Sequence, residues 1–174
     1  MKKNDVYKVN ITDVTSDGVG ICRVDGCVVF VPCALKDETV RIKIVKTTKN
    51  ISYGKIIEIE TASPYRMESE CGVNKKCGGC TFRHVSYEGE LEIKQNIVET
   101  ALKRIGHIDV KTEKIIPTSP NGYRNKAQYP VGTSEDGRLC FGFYAANSHD
   151  IIVHNNCLLH DKIFFEFLQL FHYH

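Results

Sequence analysis

Cys71, Cys77 and Cys80 are the residues of this 174-residue chain best suited to chemistry. They sit in the run Cys71-Gly72-Val73-Asn74-Lys75-Lys76-Cys77-Gly78-Gly79-Cys80, with five residues between the first pair and two between the second. A Cys-x-x-Cys pair closes a tight loop that points two thiolates at one centre. The two glycines are expected to take positive φ and bring backbone N–H groups close to sulfur. With Cys71 the run supplies three ligands of a four-thiolate site, and Cys157 is the best candidate for the fourth. It lies in His154-Asn155-Asn156-Cys157, after a predicted strand and before a predicted helix. Spacing does not separate four-thiolate zinc from a [4Fe–4S] cluster, because four thiolates hold both. The bland alternative, three buried structural cysteines, fits poorly with Lys75 and Lys76 in the loop. Cys140 in an apolar strand, and Cys22, Cys27 and Cys33, read as small core or turn residues. His84 reads as a surface or capping residue.

A second constellation is basic. Arg41, Lys43, Lys46, Lys49 and Lys55 form a run with no acid between Val40 and Ile57, and Tyr53 adds a stacking surface. Arg41 and Lys43 share one strand face. A charged strand face is most often simply solvated, but lysines around an aromatic ring also suit a phosphate-tracking groove, and the barrel context favours that reading. Arg124, Asn125 and Lys126 form a third group. Arginine and lysine hold phosphates and asparagine reads a base edge, although a polar strand start has the same composition.

The elements that must position these groups follow from periodicity. Tyr7, Val9 and Ile11 alternate with polar residues. Gly20 to Val24 runs into Asp25-Gly26, a hairpin signal. Val28 to Pro32, Val40 to Ile44 and Lys55 to Ile59 complete five short strands, the pattern of a small barrel of the oligonucleotide-binding type. Thr61 to Pro64 reads as a boundary. Ser86 is the expected cap of a helix over Tyr87 to Ile105, with Leu91, Val98, Ala101, Leu102 and Ile105 on its buried face. Gln128 to Val131 and Leu139 to Tyr144 flank the turn Ser134-Glu135-Asp136-Gly137, and Ile151 to Val153 follows. Asp161 caps a last helix that is apolar nearly all round, so it should be buried against something. The expected fold class is mainly β with α (α+β). The expected division is a barrel at 1–62, a cysteine and sheet domain at 63–160, and an atypical helix at 161–174.

Composition sets bounds. Charged residues are 25% and hydrophobic residues 42%, ordinary globular usage, and the formal net charge is only +2. Affinity for nucleic acid must therefore come from a local patch. No run reaches the ~18 apolar residues of a membrane span, and Met1 to Asp5 leads into a strand without an apolar signal segment. The eight cysteines then read as reduced thiols in a cytoplasmic protein.

Taken in order, Gly18-Val19-Gly20-Ile21, Val29-Phe30-Val31-Pro32-Cys33-Ala34-Leu35, Cys77-Gly78-Gly79-Cys80, His84-Val85-Ser86-Tyr87, Leu102-Lys103-Arg104-Ile105-Gly106, Tyr123-Arg124-Asn125-Lys126-Ala127 and Gly142-Phe143-Tyr144 carry a resemblance. Over roughly residues 5 to 160 the chain resembles the front part of the SAM-dependent RNA uracil-5-methyltransferases. It looks most like the ribosomal RNA branch that carries an iron–sulfur cluster. The resemblance implies a TRAM domain, an RNA-binding barrel, over residues 1 to about 60. It implies that Cys71, Cys77, Cys80 and Cys157 hold a [4Fe–4S] cluster that supports folding and RNA engagement, and that residues 110 to 156 form an RNA-contacting sheet. The partner implied is RNA, ribosomal by the branch resembled. In the family, SAM and a nucleophilic cysteine belong to a following methyltransferase domain. Nothing after Cys157 resembles it, so no cysteine here inherits that role and the chain alone is expected to be catalytically silent. A non-catalytic iron–sulfur or zinc module, redox-active or RNA-binding, is the alternative.

Overall fold

The computed structural model describes residues 1–134, 136–154 and 156–171. Glu135 of the predicted turn, Asn155 beside the cysteine candidate, and residues 172–174 of the predicted last helix lie outside the described residues. The fold is α+β. It divides into two compact units: residues 1–68 with 84–115, and residues 69–83 with 116–174.

The first unit carries six strands: β1 (Val6–Asn10), β2 (Asp13–Val14), β3 (Val19–Val24), β4 (Cys27–Pro32), β5 (Thr39–Thr47) and β6 (Ile51–Thr61). Their order is β1-β5-β6-β4-β3-β2, with β1 also approaching β3, so the sheet curls on itself. Every pairing is antiparallel except β4 with β6, which run parallel. Asp25 (φ 49°) and Gly26 (φ 80°) make the β3–β4 turn, both at positive φ as a two-residue hairpin of matched twist requires. Alternation sends Val9, Ile11, Cys22, Val24, Val29, Val31, Val40, Ile42 and Ile44 into one core. A Cβ on Gly20 would lie 2.7 Å from the Ala34 Cβ, so only glycine lets that loop close over the core.

A charged group sits in this apolar interior. Glu38 is fully buried, and its carboxylate accepts from Leu35 N (2.9 Å), Ser63 N (3.3 Å) and both Nε and Nη2 of Arg66. Arg66 Nη2 also donates to the Cys33 carbonyl (2.7 Å). This ties residues 63–66 to the barrel. Burial pushes the Glu38 carboxyl up, but the Arg66 bond and the backbone donors outweigh it and leave the pKa below the usual value.

Helix α1 (Tyr87–Arg104) is capped as expected: the Ser86 hydroxyl accepts from Gly89 N at 3.2 Å. Its expected buried face is a different matter. Val98 is 51% exposed and Ile105 81% exposed, and Gly89 is the helix's only buried residue. The packing that exists is polar instead, through Gln95 and Glu99 to Thr112 and Ile115. In this fold α1 also groups with the barrel unit rather than with the cysteine run.

The second unit holds the sheet β7 (Val131–Thr133), β8 (Leu139–Tyr144), β9 (Ile151–Val153), antiparallel throughout, and helix α2 (Lys162–Gln169). Asp161 caps α2 by accepting from Ile163 N at 3.0 Å. The expected burial of α2 is not found among the described residues: Ile163, Phe167, Leu170 and Phe171 are exposed, and no α2 residue is fully buried. Among the described residues no helix is long and apolar enough to cross a membrane.

Candidate thiolate centre and nucleic-acid interface

The second unit brings the sequence-distant cysteines together. Cys71, Cys77, Cys80 and Cys157 line one cavity of about 30 Å³, with Arg83 and His154. Two consecutive turns shape the run: Asn74 N donates to the Cys71 carbonyl (3.2 Å), and Lys76 N and Cys77 N both donate to the Val73 carbonyl (2.9 Å). Gly78 N donates to Tyr144 O (2.9 Å) and Ala146 N to Lys76 O (3.2 Å), so the end of β8 holds the loop in place. The glycines act otherwise than expected. Neither Gly78 nor Gly79 is at positive φ; Gly78 is needed because a Cβ there would stand 3.1 Å from Ala146 N and Tyr144 O. The expected N–H to sulfur approach is present, from Gly79 N to Cys77 Sγ at 3.4 Å.

Cys157 arrives through the segment after β9. His160 N donates to its carbonyl (3.1 Å), Gly122 N to Leu158 O and Arg124 N to Leu159 O (both 2.9 Å). Behind it, Tyr129 Oη and His160 Nδ1 stand 2.9 Å apart, and the Phe143 ring packs on both. All eight cysteines are free thiols. Burial raises the Cys80 thiol, the Arg83 guanidinium beside it pulls it back down, and the neighbouring Cys157 and Cys77 raise it further.

The donor set fits an anionic thiolate centre. Four thiols face one cavity, and Arg83 Nη2 is buried there with no hydrogen-bond partner, while Nη1 donates to Asn121 Oδ1 at 2.9 Å. A buried cationic donor left unsatisfied is costly unless an anion completes it. Among the described residues no three Cys, His, Asp or Glu side chains are gathered tightly enough, as they stand, to ligate a single ion.

Sequence reasoning missed Arg83, whose role needs the fold to be seen, and His154, whose Nε2 lies 3.8 Å from Cys71 Sγ. His84 is neither at the surface nor a cap. Its Nε2 is buried without a partner, and burial, with Arg66 nearby, takes its pKa down to about 4. It belongs to the first unit, whereas the thiols belong to the second. Cys22 and Cys140 are buried core thiols as expected.

The basic run lies on β5, β6 and their turn, and the structure splits it. Arg41 is engaged by Glu58 of β6 at 3.3 Å, and Lys8 by Glu60. Lys43 stands opposite Lys55, and Lys46 opposite Tyr53. Among the described residues no ion pair involves Lys43, Lys46, Lys49 or Lys55. The free positive charge is therefore concentrated at the Tyr53 end of the strands. Arg124, Asn125 and Lys126 are exposed in the other unit, in a loop bridged to His160 rather than at a strand start.

Comparison with known proteins fits this architecture. Residues 2–57 match the TRAM domain family, so the curled sheet is a TRAM domain. The chain is 44% identical, over 163 residues and 93% of its length, to an "uncharacterized RNA methyltransferase" of Listeria monocytogenes serovar 1/2a, of which it covers 36%. It is also 44% identical, over 161 residues and 91% of its length, to one of Halalkalibacterium halodurans, of which it covers 35%. The chain thus spans about a third of the length of the curated relatives it matches. Pyrococcus abyssi tRNA (uracil-54, C5)-methyltransferase, solved with S-adenosyl-L-homocysteine, shares the fold over 92% of this chain and 35% of its own, with a TM-score of 0.59 and 21% identity. Over the segment it spans, the chain is similar to proteins named as RNA methyltransferases.

Proposed function

We propose that this chain is the RNA-binding, cluster-binding portion of a SAM-dependent RNA uracil-5-methyltransferase, directed at ribosomal RNA. Cys71, Cys77, Cys80 and Cys157 would hold a [4Fe–4S] cluster, which braces the second unit and takes no part in methyl transfer. The observation that carries this reading is the convergence of four thiols from two distant segments on one cavity, with the unpartnered Arg83 Nη2 beside them. The TRAM domain supports RNA as the partner. Lys43, Lys46, Lys49 and Lys55, with Tyr53, supply the phosphate and base contacts in one unit. Arg124, Asn125 and Lys126 supply them in the other, while Arg41 contributes less because Glu58 holds it. The SAM site and the nucleophile belong to a domain beyond this segment, so the segment itself transfers no methyl group.

The deciding experiment is anaerobic purification of the 174-residue chain, with iron, sulfide and zinc analysis and a visible spectrum. Brown protein with iron and sulfide near four each per chain supports the cluster. Colourless protein with one zinc turns the site into a structural zinc centre. Methylation of uridine in ribosomal RNA by this chain and SAM would overturn the catalytic assignment.

A further inference from the structure

The outer face of the barrel carries a feature that the basic run alone does not contain. The parallel pairing of β4 with β6 sets Phe30 directly beside Tyr53, their ring centroids 5.9 Å apart at 33°. Both rings point outward, because their neighbours Val29, Val31 and Ser52 are buried. The cross-strand row continues on both sides, with Ile21 opposite Phe30 on β3 and Lys46 opposite Tyr53 on β5. One row over, Lys55 follows Tyr53 on the same face and stands opposite Lys43. Tyr53 is 39% exposed. The carboxylates of β6, Glu58 and Glu60, are both held by cations toward the other end of the strand.

We propose that Phe30 and Tyr53 form a stacking platform for unpaired bases of single-stranded RNA, with Lys43, Lys46 and Lys55 tracking its phosphates. This rests on the reading above that the barrel binds RNA, and deepens it by naming the strandedness of the ligand and the residues that select it. Two outward rings in lateral contact offer flat apolar area that a protein core would have hidden. Bases present π-faces to such rings only when they are not paired in a duplex. The lysines surround the rings on the β5 and β6 side, so a backbone following them holds its bases over Tyr53 and Phe30. A protein docking patch of this size would gain nothing from three unpaired lysines along one edge, whereas a polyanion does.

The chain contains no tryptophan, so Phe30→Trp gives a single fluorescent reporter within the platform. The full chain carrying Phe30→Trp is titrated with a single-stranded oligouridylate and with duplex RNA of equal length. Saturable quenching by the single strand and none by the duplex is the expected result. Tyr53→Leu, in the otherwise native chain, should weaken single-strand binding about 5- to 150-fold, as loss of one base stack does. It should leave the salt dependence of binding unchanged, whereas Lys46→Gln with Lys55→Gln should flatten it. Tyr53→Phe, which keeps the ring, should bind as the native chain does. Single-strand binding that persists with no quenching and no loss in Tyr53→Leu would overturn the platform while leaving RNA binding intact. Equal quenching by duplex would overturn the claim of single-strand selection. Absence of RNA binding in every form, the native chain included, would overturn the RNA reading itself and the platform with it.

Discussion

Glu38 and Arg66 form an ion pair at the barrel's interior wall, with the Glu38 side chain fully buried and that of Arg66 18% exposed. The carboxylate spends its lone pairs on the guanidinium and on two backbone N–H groups, so it has no unsatisfied oxygen. Removing the cation would strand a buried charge. Arg66→Met should therefore destabilise the first unit by about 3–5 kcal/mol. Glu38→Gln with Arg66→Met, which removes both charges, should recover part of that. Urea unfolding of the single and double variants checks both expectations, and an Arg66→Met protein of native stability would show that the pair contributes nothing.

The same corner makes stability depend on pH in two separate windows. His84 is kept neutral in the fold and titrates near 4, while the unfolded chain takes that proton near 6.5. The unfolded state therefore binds more protons between these values, and stability falls as pH drops from about 6.5 to 4. The folded Glu38 carboxyl lies below its unfolded value of 4.5. Its contribution is complete above 4.5 and is lost as pH falls through the lower, folded value. Replacing His84 by leucine should flatten the upper window and leave the lower one. Denaturation midpoints measured from pH 7 to pH 3 separate the two.

The cysteines should divide sharply. Serine at Cys71, Cys77, Cys80 or Cys157 should reduce or abolish the visible chromophore of anaerobically purified protein, whereas Cys140→Ser, in a strand and away from the cavity, should keep it. Arg83→Leu is the informative control. The buried Nη2 should no longer offset the thiolate charge, so the chromophore should form but bleach faster in air. Equal chromophore loss in Cys140→Ser would mean that the substitutions act through folding.

Gly142 links the small sheet to the site. A Cβ there would lie 2.0 Å from the Ile152 carbonyl oxygen, a backbone atom that cannot step aside. Gly142→Ala should therefore prise β9 from β8 at a cost of at least the upper part of the ~1–3 kcal/mol range for overpacking. Because β9 delivers Cys157, the variant should also lose metal or cluster loading. Full loading in Gly142→Ala would show that Cys157 is held independently of that strand.

Much of this was legible in residue order. Alternation along Tyr7 to Ile11 and Val40 to Ile44 marks strands because side-chain direction reverses at every residue. Val28 to Pro32 is instead a continuous apolar run that reads as a buried strand ended by proline, and the structure turns Phe30 of that run outward. Asp25-Gly26 marks a hairpin because the turn demands positive φ at both positions. Ser86 and Asp161 cap their helices because a short side-chain oxygen reaches an orphan N–H without any help from the fold. The buried face of α1 was not legible. Its apolar spacing offers a face, but packing chose the Gln95 and Glu99 side, and propensity carries no information about which neighbour arrives.

The sequence by itself determined most of the barrel's strands (it runs β1 and β2 together, so five are read where six form), the Cys71-Cys77-Cys80 run and the charge of the β5–β6 segment, since each depends on residues close together along the chain. Only the tertiary structure decided what depends on distant residues meeting. It placed Cys157 opposite the run and left Arg83 Nη2 unpartnered beside the thiols. It buried Glu38 on Arg66, matched Arg41 with Glu58 and left Lys43, Lys46 and Lys55 free. It also set Phe30 beside Tyr53 through a parallel pairing. Strand order and register are set by the closure of the whole sheet, and no local pattern encodes which strand becomes a neighbour.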